Sequence, residues 1–241
     1  MNAITIENLT KKYENTVAVD NLNLSIKQGE LFALLGGNSA GKTTTIKMLS
    51  CLIKPTSGDA YLLGDSITSN PHTIKKKINI SPQETAVATN LSVLENLKLI
   101  AGIYGKDSKT ANKNAHEIAC KFGLEQELNK KAKNLSGGMQ RRLSIAMALI
   151  SEPQILFLDE PTLGLDVLAR HELWASIKSL KGKVTIILTT HYMDEVENLS
   201  DRVGIMIKGQ LTAVGTVAEL TTQTGTSKLE DAFVVLSGGV L

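Results

Sequence analysis

The sequence predicts an α/β protein with a mainly parallel sheet core, an N-terminal antiparallel β portion and an inserted helical portion. Three observations predict it. Short apolar runs of buried-strand type stand at 31–35, 155–158 and 184–189, each with a helical pattern behind it. Alternating residues near the start read instead as half-exposed strands. From about Ser92 to Ile150 the pattern is almost wholly helical, so helices interrupt two α/β portions.

In order, Ile4 and Ile6, then Leu22, Leu24 and Ile26, alternate with polar residues, as antiparallel strands with one wet face do. Gln28-Gly29-Glu30 turns the chain into Leu31-Phe32-Ala33-Leu34-Leu35. Then comes Gly36-Gly37-Asn38-Ser39-Ala40-Gly41-Lys42-Thr43-Thr44, which fits G-x-x-x-x-G-K-[ST]. Ile46, Leu49, Leu52 and Ile53 follow at helical spacing, completing strand, glycine turn and helix. In that setting the free N–H groups of the turn and the positive end of the helix converge on phosphate oxygens. Lys42 is placed to reach β- and γ-phosphates and Thr43 to ligate Mg²⁺, which makes the core a P-loop NTPase.

Pro55-Thr56-Ser57-Gly58 breaks the chain before a short strand from Ala60 to Leu63. Ile74 to Lys77 is basic and reads as surface, and Ile78 to Ser81 as a strand ending at Pro82-Gln83. Within the helical portion, Val93, Leu94, Leu97 and Ile100 mark one segment, Ile118, Ala119 and Phe122 a second, and Leu143, Ala146 and Leu149 a third. Beyond it come a helix from Val167 to Leu180, the strand Val184 to Thr189 and a helix from Met193 to Leu199. Val203 to Ile207 and Gln210 to Val214 form a hairpin across Lys208-Gly209. Helices over Thr216–Leu220 and Leu229–Leu236 flank a polar, mobile stretch from Thr221 to Ser227. The expected division is a catalytic core at 1–84 and 151–220, a helical subdomain at 85–150 and a short extension at 221–241.

Composition narrows the function. Hydrophobic residues at 42% and charged residues at 21% are those of a soluble globular chain. With 26 basic against 24 acidic residues, no nucleic-acid partner is expected. Cys51 and Cys120 lie on apolar-periodic stretches, read as core residues, and suit a reducing compartment rather than a disulfide or zinc site. The first ten residues lack a signal-peptide core, and no apolar run approaches the ~18 residues of a membrane span. Work at a membrane therefore calls for a second chain.

Two further stretches carry chemistry. Asp159 and Glu160 follow the strand at Ile155, at the end of a parallel sheet where ligands bind. Asp159 can hold Mg²⁺, partly through water, and Glu160 can polarise a water for attack on the γ-phosphate. Leu135-Ser136-Gly137-Gly138-Met139-Gln140 is a second glycine-rich helix start, able to cap a phosphate or simply a Ser N-cap. One nucleotide does not need two such starts in one chain, unless two copies pair head to tail and each lends this loop to the other.

On these motifs the chain resembles the ATP-binding subunits of ABC transporters over essentially its whole length. The resemblance implies one ABC ATP-binding domain across 1–241, ATP and Mg²⁺ as cofactors, and catalytic roles for Lys42, Gln83, Glu160 and His191. It implies ATP contacts from Tyr13 and from Gly36 to Thr44, and magnesium ligation by Thr43, Gln83 and Asp159. Leu135, Ser136, Gly137, Gly138 and Gln140 match the signature facing the partner's ATP, and Leu165 and Asp166 the D-loop. The family loop commonly has Pro where this chain has Gly37, and Gly where it has Ser39; Ser39 is strained if its φ must be positive. Thr189 to Glu197 and Lys228 to Phe233 look like the ATPase subunits of ABC-2 type exporters. The implied partners are a second ATP-binding subunit, in a homodimer or heterodimer, and an integral membrane subunit on whose cytoplasmic face this chain sits. Ala86, Val87 and Leu91 are expected to line the groove for that subunit. A soluble ABC ATPase acting on ribosomes or DNA, or a non-hydrolysing regulatory subunit, is the alternative.

Overall fold

The computed structural model describes residues 1–239; residues 240 and 241 of the expected extension lie outside them. Two sheets share the chain. β1 (Asn2–Tyr13), β2 (Thr16–Lys27), β4 (Ser57–Leu62) and β5 (Asp65–Ser66) form an antiparallel sheet in the order β2-β1-β4-β5. β3 (Leu31–Leu35), β6 (Ile78–Ser81), β7 (Ile155–Asp159), β8 (Thr185–Thr190), β9 (Arg202–Ile207) and β10 (Gln210–Gly215) form the other, in the order β10-β9-β3-β8-β7-β6. All its pairings are parallel except β9 with β10.

β3 shows why apolar runs of this kind become central strands. All five of its side chains are buried. Leu31, Ala33 and Leu35 point into one apolar core with the inserted helices, while Phe32 and Leu34 point into a second core beneath the antiparallel sheet. β7 divides in the same way, with Leu156 and Leu158 against Ile155 and Phe157.

α1 (Lys42–Leu49) follows β3. The inserted helices are α3 (Val93–Ile103), α4 (Ser108–Lys121) and α5 (Gly137–Leu149), and α2 (Pro71–Lys75) precedes them. α3 opens with a capping box between Ser92 and Glu95, and α4 with Asp107 accepting from the Lys109 and Thr110 N–H groups. α6 (Val167–Lys178), α7 (Met193–Leu199), α8 (Val217–Thr224) and α9 (Leu229–Leu236) complete the fold.

Several expectations change. The stretch 74–77 is not plain surface, because Pro71 starts α2 and Ile74 is buried under it. α1 stops at Leu49, Cys51 turns left-handed at φ 57°, and Leu52 is exposed rather than helical. Cys120 is exposed and Cys51 only half-buried, so neither is a core residue. α8 runs to Thr224 through the stretch read as mobile. Its Thr216–Glu219 capping box and Gly225 at φ 68° bound it, and the hydroxyls of Thr221, Thr222 and Thr224 satisfy carbonyls one turn back. Ala86 is exposed, but Val87 is half-buried against the helical core, so less of it is free for a partner.

Candidate nucleotide site

The loops following β3, β6, β7 and β8 meet at the carboxyl ends of those strands, where a parallel sheet presents its ligands. There a cavity of about 440 Å³ is lined by Tyr13, Thr16, Val17, Ala18, residues 38–44, Gln83 and Glu160. Gly41 opens α1 at φ 100° with no side-chain cap, so the N–H groups of its first turn remain available to an anion. Glycine is required at both ends of the turn. A Cβ at Gly36 would strike the Met206 carbonyl, and one at Gly41 the Ala18 carbonyl.

Lys42 is buried. Its Nζ donates to the carbonyls of Gly36 (2.7 Å) and Gly37 (3.1 Å) and lies 3.5 Å from Glu160 Oε1. Burial lowers its pKa, and Glu160 pulls against that. Thr43 Oγ1 donates to Asp159 Oδ1 at 3.1 Å, and Thr189 Oγ1 donates to the same oxygen at 2.6 Å. Asp159 is thereby aimed from helix α1 and strand β8. Glu160 sits in the left-handed region at φ 46°, held by its N–H donating to the Thr189 carbonyl and hydroxyl. Its carboxylate stands between Lys42 and His191, whose Nδ1 is 3.4 Å from Oε2 without hydrogen-bond alignment. Gln83 is exposed, and Tyr13 stands at the cavity rim with the Lys11 ammonium 5.1 Å from its ring centre.

The second glycine-rich helix start lies elsewhere. Ser136 caps α5 by accepting from the Met139 N–H at 3.3 Å, while Ser136 and Gly137 are exposed. A Cβ at Gly138 would come 2.8 Å from that of Ala169, which is how α5 and α6 approach so closely. Asp166 caps α6 by accepting from the Ala169 N–H at 2.9 Å, and Leu165 is half-buried. None of these residues lines the cavity.

Residues 19–163 match the ABC transporter family. The chain is 39% identical over 228 residues to the daunorubicin/doxorubicin resistance ATP-binding protein DrrA of Streptomyces peucetius, covering 94% of this chain and 69% of that one. This chain is an ATP-binding subunit of the ABC transporter family. A probable multidrug ABC transporter ATP-binding protein of Escherichia coli, YbhF, is 38% identical over 239 residues, and there the ABC subunit spans only 41% of the relative's length. An ATP-binding cassette solved as a dimer in a post-hydrolysis state with ADP and Pi superposes with a TM-score of 0.80 at 28% identity, covering 88% of this chain and 98% of that one. These relatives identify the chain as an ABC ATPase of the exporter type.

The two departures from the common loop have different physical weight in this ABC subunit. A Cβ at Gly37 would meet nothing within 4 Å, so glycine is not needed there. Ser39 sits at φ 62°, the backbone conformation in which its side chain is strained. Ser39→Gly is expected to relieve strain and raise stability by about 1 kcal/mol, read as a higher melting temperature of the purified subunit. An unchanged or lower melting temperature would show that the turn is not strained at this residue.

Sequence reasoning missed Arg141. Its buried guanidinium donates to the carbonyls of Pro161 (2.8 Å), Asp159 (2.9 Å), Gln83 (3.3 Å) and Pro82. It thus ties the signature helix to both the glutamine turn and the acidic strand end. Burial lowers its pKa to about 10, opposed by Asp159 and Glu195, so it remains charged at neutral pH. The Gln140 amide donates back to the Leu135 carbonyl at 3.2 Å.

Proposed function

We propose that this subunit binds ATP with Mg²⁺ in the cavity above β3, and that two such subunits close on two nucleotides to drive export through a separate membrane subunit. One observation supports the paired arrangement: the glycine-rich start of α5 leaves Ser136 and Gly137 exposed and lies apart from the cavity within one chain. A head-to-tail partner supplies what each lacks. On this reading the chain is a single ATP-binding domain, with helices 85–150 and an extension after 220. It sits peripherally on the cytoplasmic face of the membrane, and no helix among the described residues is long and apolar enough to cross it.

The donor set fits magnesium. Thr43 Oγ1, the Asp159 carboxylate and the Gln83 amide oxygen are hard donors, too few for an all-protein cage and suited to an ion that keeps waters and phosphate oxygens. When bound, the ion neutralises charge on the phosphates. The chain's own groups do the rest. The uncapped start of α1 and Lys42 hold the triphosphate, Tyr13 stacks on the base, and Glu160 takes the proton of the attacking water. His191, across the Glu160 carboxylate from Lys42, contacts the terminal phosphate. Leu165 and Asp166 lie on the face offered to the partner.

Lys42→Ala tests the assignment. Removing the point charge should lower turnover about 10²–10³-fold, measured as phosphate release by the purified chain. Parent-like hydrolysis by this variant would falsify the phosphate-loop role.

A further inference from the structure

His191 has little of its own to orient it, since Nδ1 makes no hydrogen bond. Besides the Glu160 carboxylate 3.4 Å from Nδ1, its ring meets Tyr192, with centroids 4.1 Å apart and planes tilted by 41°. Tyr192 is in turn covered from α6. The half-buried Arg170 guanidinium lies 5.4 Å from the Tyr192 ring centre and 5.8 Å from that of Trp174, and pairs with Asp194 at 2.9 Å. One turn further along α6, Trp174 Nε1 donates to Oε1 of the fully buried Glu195 at 3.3 Å. Helix α6 therefore grips residues 192–195 at two levels, and Asp166 is its N-cap.

We infer that Arg170 is a positioning residue: its guanidinium, lying over the Tyr192 ring, fixes that ring, and the ring aims the His191 imidazole at the terminal phosphate. The inference rests on the role given to His191 above. The geometry favours a planar cation over any cation. An ammonium could keep the ion pair with Asp194 but could not present one flat surface to two aromatic rings.

A double-mutant cycle on the purified chain separates aiming from mere stapling of α6 to α7, which both predict lower stability. Arg170→Lys should lower kcat roughly tenfold with KM changed less than about twofold, since the contact matters to the transition state. In a His191→Ala background the same change should cost less than about twofold, because a ring that is absent cannot be misaimed. Asp194→Asn, which keeps the stack and loses the ion pair, should cost less than Arg170→Lys. Equal loss from Arg170→Lys in both backgrounds, or a loss from Asp194→Asn as large as that from Arg170→Lys, overturns this inference alone. Undiminished turnover in His191→Ala overturns the role of His191 as well.

Discussion

Glu160→Gln is expected to lower ATP turnover about 10²–10⁴-fold while leaving nucleotide binding intact. The amide cannot accept the proton of the attacking water. Little else need change, because Glu160 is held in place by its backbone N–H on Thr189 rather than by its carboxylate. Loss of the carboxylate also removes the partner 3.5 Å from Lys42, which frees that ammonium for phosphate. Nucleotide affinity should therefore hold or rise. With hydrolysis blocked, pairs of subunits closed on ATP should accumulate, and light scattering of the variant with Mg-ATP reads this directly. A variant that hydrolyses within tenfold of the parent assigns the general base to another group. One that stays monomeric at saturating Mg-ATP removes the shared-site reading.

Arg141→Ala should be the most destabilising single truncation near the site. It leaves the carbonyls of Pro161, Asp159, Gln83 and Pro82 without their charged donor in a buried place. A loss of about 3–5 kcal/mol is expected. For a chain of this length that lowers the melting temperature by roughly 10 °C. Arg141→Lys should recover only part of it, since one ammonium cannot span carbonyls on separate segments. Scanning calorimetry of the three proteins decides. A melting temperature within about 2 °C of the parent for Arg141→Ala would mean that these carbonyls find other donors at little cost.

What was legible in the sequence is what is encoded locally. The run at 31–35, the glycine turn and Lys42 are contiguous, and their residue types dictate strand, anion cradle and helix without reference to the rest of the chain. Asp159 and Glu160 were legible for the same reason, since four apolar residues announce the strand that ends on them. Arg141 was not. Its partners are backbone carbonyls 18 to 59 residues away, and a carbonyl has no sequence signature. Nor was the Arg170 contact with Tyr192, because arginine on a helix ordinarily reads as solvated surface. The misjudged Cys120 shows the opposite error: an apolar-periodic stretch says which residues share a helix, but one step around it turns a side chain from core to water. The left-handed Glu160 left no trace in its residue type, because the hydroxyl and carbonyl that hold it there come from Thr189 on the neighbouring strand.

The helices between Val93 and Leu149 pack mainly on one another, and α5 also packs on β6 and β7, within one continuous apolar core. α5 is therefore the seam between the helical portion and the sheet. Losing it would uncover β6 and β7, the two strands that lead to Gln83 and Asp159 at the site. Local opening of α5 is thus expected to loosen the ends of β6 and β7 at the site, whereas the phosphate loop after β3 is buttressed by other elements.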